Sequence, residues 1–297
     1  MPGFAATLGT ALIDCLADSQ TCHPTMPTSP LQHRVRIGVF DSGLGGLSVL
    51  RAIHELLPSA TLMYVADSGH APYGERSVAY VEERSLRIAA FLRDQGAQVL
   101  VVACNTATAA AVQALRMHHR DWAIVGVEPG IKPAAAMTRN GRIGVLATEG
   151  TLRSDRFKLL AQAHAAHVEL FLQACPGLAA AIESGALTSP AVTERVQTCC
   201  APLREHQVDT VVLGCTHYPF VANQIAAALG PDVVLIDTAD AVARRTLALS
   251  LAQAAPDDDL NQDDRPVTRM WTTGDRLLLA NVAERWLTFP CTVDTLP

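Results

Sequence analysis

The chain has 297 residues, 49% apolar and 18% charged, the composition of an ordinary globular protein with room for two α/β units of about 100 to 150 residues each. Its net charge of −6 includes no block of Lys or Arg, which argues against direct nucleic-acid binding and against an anionic membrane surface as partner. Eight irregularly spaced cysteines exclude a disulfide scaffold and point to reduced thiols in a cytoplasmic protein, and no apolar run reaches the roughly 18 to 20 residues of a membrane helix.

Residues 1–33 are rich in Thr, Ser, Pro and His and lack the basic segment and apolar core of a secretory signal, so a poorly ordered extension is expected there. From Arg34 strand and helix alternate, with strands expected at 35–40, 61–66, 98–103 and 123–127 and helices at 44–57, 76–95 and 105–118. A second run follows. Its strands are expected at 142–147, 167–172, 208–213 and 232–236, and its helices at 151–165, 176–184, 190–206 and 218–229. Strands that are nearly continuous Val, Ile, Leu and Ala are buried on both faces, which means parallel sheets covered by helices and a doubly wound α/β architecture. The acidic stretch 254–266 is expected to be a surface loop, and 267–287 a last strand and helix.

The two runs repeat one unit. Arg36-Ile37-Gly38-Val39-Phe40-Asp41-Ser42-Gly43 is answered by Arg142-Ile143-Gly144-Val145-Leu146-Ala147-Thr148-Glu149-Gly150, and the strand ending in Ala103-Cys104-Asn105-Thr106 by the one ending in Gly214-Cys215-Thr216-His217. The spacings agree, with 67 residues from Ile37 to Cys104 and 72 from Ile143 to Cys215. Two pseudo-symmetric domains, each carrying one thiol, can face each other across a cleft. Opposed bases are what inversion of an acidic carbon needs. A helix N-terminus after each strand would favour the thiolate, which singles out Cys104 and Cys215 from the other cysteines.

Other polar groups fall at the same strand ends. Asp41 and Ser42 open a glycine-rich loop, Asp-Ser-Gly-Leu-Gly-Gly, in which backbone amides can approach an anion, although no complete phosphate-binding signature is present. His217 is placed to orient or protonate, and Asn105, Thr106 and Thr216 are short donors that could hold a carboxylate or ammonium group.

Together with Asp67-Ser68-Gly69-His70-Ala71-Pro72-Tyr73-Gly74-Glu75-Arg76, Val127-Glu128-Pro129-Gly130 and Cys175-Pro176 through Glu183-Ser184-Gly185, these segments resemble glutamate racemase, of the aspartate/glutamate racemase superfamily. The resemblance runs from about residue 36 to the C-terminus, departing at Ser68-Gly69-His70, where that family more often has a Thr-Ala-Arg/Lys type of run. It implies a cofactor-independent isomerase interconverting L- and D-glutamate for peptidoglycan synthesis. By that resemblance Cys104 acts on the D-isomer and Cys215 on the L-isomer, Asp41 and His217 assist them, and Glu183 lies near the second. Substrate contacts are implied at Asp41, Ser42, Tyr73, Gly74, Asn105, Thr106, Thr216 and His217.

The residues agree on the cofactor. Pyridoxal phosphate needs a Schiff-base lysine, and the chain has only Lys132, in a Pro-flanked loop, and Lys158. A metal site at Cys215, His217 and Cys104 lacks a fourth ligand. Residues 34–127 with about 240–297 are expected to form the first domain, carrying Cys104, and 128–239 the second, carrying Cys215. Two readings compete: aspartate racemase on the same fold, and a non-catalytic regulator, since some members of the resembled family inhibit DNA gyrase. A homodimer is compatible with the sequence.

Overall fold

A computed structural model describes residues 35–253 and 268–297, so the expected extension at 1–33 and loop at 254–266 lie outside the described residues. In the first half, β1 (Arg36–Asp41), β2 (Thr61–Ala66), β3 (Val99–Val102) and β4 (Ala123–Gly126) alternate with α1 (Leu47–Leu56), α2 (Val78–Asp94) and α3 (Asn105–His118). After β4 come α4 (Ile131–Met137), β5 (Arg142–Ala147), α5 (Glu149–Arg153), α6 (Asp155–His164), β6 (Glu169–Ala174), α7 (Leu178–Glu183) and α8 (Pro190–Glu205). The chain continues through β7 (Thr210–Gly214), α9 (Ala222–Leu229), β8 (Val234–Ile236), α10 (Ala239–Gln253), β9 (Thr268–Thr272), α11 (Arg276–Trp286) and β10 (Cys291–Thr295).

Both sheets are parallel throughout. One runs β10-β9-β2-β1-β3-β4 and the other β6-β5-β7-β8. Four strands of each therefore share the order second-first-third-fourth, the spatial counterpart of the sequence repeat. β1 and β5 also match residue by residue, each beginning with an exposed Arg and buried from there on. Every residue of β3 and of β7 is buried, because each strand is flanked on both edges and covered on both faces. In such sheets ligands bind beyond the carboxyl ends of the strands where the order reverses, between β1 and β3 and between β5 and β7.

Several boundaries differ from expectation, each for a local reason. The single helix expected at 151–165 is two, because Ser154 is extended (φ −66°, ψ 144°) and its hydroxyl caps the second helix by accepting from Phe157 N–H. The helix expected at 218–229 begins as a 3-10 turn over Tyr218–Val221 containing Pro219, and becomes α-helical only from Ala222. Lys132 lies in the first turn of α4 rather than in a loop, with Pro133 tolerated near the helix start. Unexpected elements are α10, which packs on α1, and β10, whose alternation of partly exposed and exposed residues suits a sheet edge rather than an apolar run.

Candidate active site

Four strand ends converge on one cavity of about 140 Å3. Ser42 follows β1, Cys104 follows β3, Thr148 follows β5 and Cys215 follows β7, so each half contributes the two strands that flank its reversal point. The cavity is lined by all the expected site residues except Asp41. Ser42, Tyr73, Gly74, Cys104, Asn105 and Thr106 come from the first half, and Glu183, Cys215, Thr216 and His217 from the second. Asp41 is fully buried behind that lining, its Oδ1 accepting from the hydroxyls of Ser42 at 3.5 Å and Thr216 at 3.4 Å.

Cys104 is the N-cap of α3. Its sulfur accepts from Ala107 N–H at 3.5 Å and lies 3.6 Å from the Ser42 hydroxyl. The helix N-terminus acts to lower this thiol as expected, through the Ala107 amide, but it is outweighed: burial pushes Cys104 up, the nearby Asp41 carboxylate adds to the rise, and the Ala107 amide and Ser42 hydroxyl oppose it only in part. Cys104 is therefore held as the protonated thiol. Cys215 differs in its neighbour. Its sulfur lies 3.8 Å from Nδ1 of His217, whose Nε2 lies 2.6 Å from Oε2 of Glu183. Burial acts to lower His217, yet its hydrogen bonds to Cys215 and to the Glu183 carboxylate win and hold it well above the ordinary imidazole range. An imidazolium thus sits beside Cys215, and among the described residues lining the cavity no second histidine stands beside Cys104.

The carboxylates fill the glycine-rich loop. Burial pushes Asp41 up, offset in part by His217 and by Gly46 N–H, which donates to Oδ2 at 2.8 Å. Leu44 N–H donates to both oxygens of Glu183, at 3.2 and 2.9 Å. A Cβ on Gly43 would overlap the Glu183 carboxylate, and one on Gly45 would come within 2.6 Å of His217 Nδ1. The glycines thus admit the protein's own carboxylate and imidazole, where the sequence suggested an external anion.

Two further groups of residues depart from expectation. Tyr73 lines the cavity, and its hydroxyl proton is spent on Asp67, to which it donates at 2.5 Å. Sequence reasoning misses Asp67, Ser68, Arg84 and Thr148. A signal for Thr148 exists, because it is the repeat partner of Ser42, and its hydroxyl lies 2.9 Å from that of Thr106. Asn105 Nδ2 is buried at the cavity with no partner among the described residues, a donor left for a ligand.

The sequence pattern of the Asp/Glu/Hydantoin racemase family matches residues 37–246. A glutamate racemase of Pseudomonas entomophila is 50% identical over 240 residues, covering 80% of this chain and 89% of that protein. Among solved structures, glutamate racemase isoform RacE1 from Bacillus anthracis superposes with a TM-score of 0.77 at 36% identity, over 90% of this chain and 98% of that one. The Escherichia coli glutamate racemase, solved with L-glutamate and the activator UDP-MurNAc-Ala, gives a TM-score of 0.78 at 32% identity, over 89% and 98% of the two chains. Two parallel sheets related by a repeat, with a thiol beyond the third strand of each, are thus accompanied by sequence and structural likeness over most of the chain: it belongs to the Asp/Glu/Hydantoin racemase family, in the glutamate racemase group.

Proposed function

We propose that this protein interconverts L- and D-glutamate by a two-base mechanism in which Cys104 and Cys215 work on opposite faces of the α-carbon, supplying D-glutamate for peptidoglycan synthesis in the cytoplasm. The observation that carries the reading is a single cavity holding two buried thiols, each brought by the third strand of its own sheet, with an imidazolium beside only one of them. The charges flanking the two thiols are asymmetric, His217 beside Cys215 and Asp41 beside Cys104. A Cys215 thiolate paired with His217 removes the α-proton of L-glutamate, while the Cys104 thiol delivers its proton to the other face. The reverse reaction starts from a Cys104 thiolate. Asp41, hydrogen-bonded to Cys104, is then the base placed to take the proton that this thiol gives up.

An amino-acid α-proton is very weakly acidic, so the site must be dry and rich in donors that stabilise charge developing on the α-carboxylate. Asn105 Nδ2 supplies an unspent donor, and Ser42, Thr106 and Thr216 bring hydroxyls. A thiolate is lightly solvated and loses less on entering such a site than an oxygen base would. One methylene separates glutamate from aspartate and is worth only about 1 to 3 kcal/mol, so the choice of glutamate rests on the likeness to glutamate racemases.

The test is the loss of optical rotation from pure L-glutamate by protein dialysed against a chelator and free of pyridoxal phosphate. Full activity is expected. Activity that disappears on dialysis and returns only with an added cofactor would overturn the reading.

A further inference from the structure

Glu183 sits on α7, yet most of what holds its carboxylate comes from the other half of the molecule. Leu44 N–H, after β1, donates to both oxygens, and the Ser68 hydroxyl, after β2, donates to Oε1 at 2.5 Å. The remaining partner is His217 Nε2, from the loop after β7. Ser68 is itself presented from a fixed base. The neighbouring Asp67 is fully buried and accepts from Arg84 at 2.9 and 2.7 Å and from the hydroxyls of Tyr73 and Thr273. Gly69 N–H donates to Thr273 at 3.0 Å, anchoring the residue on the other side of Ser68.

We propose that Ser68 is a positioning residue for the Cys215 side of the reaction: its hydroxyl fixes the Glu183 carboxylate in the line Ser68–Glu183–His217–Cys215, so that this acid–base pair is complete only when the loops of the first half are docked on α7. The proposal rests on the catalytic reading of Cys215 and His217 given above. Ser68 lines the cavity, but its one proton is spent on Glu183, and as a donor it acts on the reaction through that carboxylate. Burial alone would raise Glu183; His217, Leu44 N–H and Ser68 together hold it below the ordinary carboxylate range, which keeps it an anion facing the imidazolium. Asp41 and Tyr64 are the other titratable groups that feel its charge.

The experiment compares Ser68→Ala and Ser68→Thr with wild type over pH, from both enantiomers. A hydrogen bond to a charged group accounts for roughly a tenfold or greater effect, so Ser68→Ala should lower kcat/KM by about tenfold. The loss must be equal in both directions, because the enantiomers have equal free energy. With Glu183 easier to protonate, the acid limb of the kcat/KM profile should move to higher pH, and the α-deuterium isotope effect should rise when L-glutamate is the substrate. Ser68→Thr, which keeps the hydroxyl, should restore both. An unmoved acid limb would overturn the proposal, and a change in KM alone would make Ser68 a substrate contact instead. If Ser68→Ala fails to fold, Ser68→Cys, of similar size with a weaker donor, must show the same acid-limb shift or the proposal fails. Wild type that does not racemise glutamate would refute the function itself, a result separable from either of these.

Discussion

Replacing either Cys104 or Cys215 by Ala is expected to lower kcat/KM for racemisation by more than about a thousandfold, because each turnover uses one thiolate and one thiol and neither can stand in for the other. Both thiol residues line the same cavity, and Cys104 feels the charge of Cys215, so they belong to one site. Cys199 and Cys200 provide the control. They are buried on α8 in the apolar core, away from the cavity lining, and Cys199→Ala or Cys200→Ala should leave racemisation nearly intact while costing some stability through lost packing. A Cys104 or Cys215 variant that kept more than about a tenth of wild-type kcat/KM, a loss below about 1.4 kcal/mol of transition-state stabilisation, would break the two-base assignment. Steady-state kinetics from both enantiomers decides it.

The largest expected stability effect falls outside the thiols, at Asp67. Its carboxylate is fully buried and meets Arg84 side-on at 2.9 and 2.7 Å, with the Arg84 side chain only 11% exposed. Asp67→Ala would leave that guanidinium and the Tyr73 hydroxyl without their acceptor. Breaking a buried pair from one side costs about 3 to 5 kcal/mol, and for a chain of this size each kcal/mol lowers Tm by about 2 to 4 °C, so a drop of at least about 6 °C is expected. The pH dependence has a definite sign. Burial acts to raise Asp67, but the hydrogen bonds from Arg84, Tyr73 and Thr273 and the Arg84 charge hold it below the ordinary carboxylate range. Stability from a depressed carboxyl is present above its unfolded value, about 4, and is lost as pH falls through the lower folded value. The Tm gap between wild type and Asp67→Ala should therefore be constant near neutrality and narrow only in acid. A gap of less than about 2 °C at neutral pH, read by calorimetry, would mean that the Asp67–Arg84 pair does not hold this part of the fold together.

Much of this architecture is legible because the sequence states it twice. The apolar runs of β1, β3, β5 and β7 are buried strands flanked on both edges, where composition alone is decisive, and the residue after each run is forced to the carboxyl edge of a sheet. That is why the amino-acid order alone places Ser42, Cys104 and Cys215 at strand ends. The strands at sheet edges are harder to bound. β6 is only half buried and begins two residues later than its apolar residues suggest, and β10 has too few apolar residues to stand out. What no sequence pattern carries is the chemistry that depends on long-range approach. The clasp of Leu44 and Ser68 on Glu183 joins residues up to 139 positions apart. No local pattern records such contacts. The thiol of Cys104 departs from expectation for the same reason, since burial and the Asp41 charge, both tertiary, outweigh one capping amide.

The central claim, two thiols acting on opposite faces, is tested most directly by the fate of hydrogen at the α-carbon in heavy water. Protein equilibrated in D2O is given protiated L-glutamate and sampled by NMR within the first few per cent of conversion. The thiolate on one side takes the original proton and the exchanged thiol on the other gives deuterium, so the D-glutamate formed should carry deuterium while the remaining L-glutamate stays protiated. D-glutamate that keeps the original hydrogen, or deuterium entering substrate and product at equal rates, would mean that a single base serves both faces and would contradict the account.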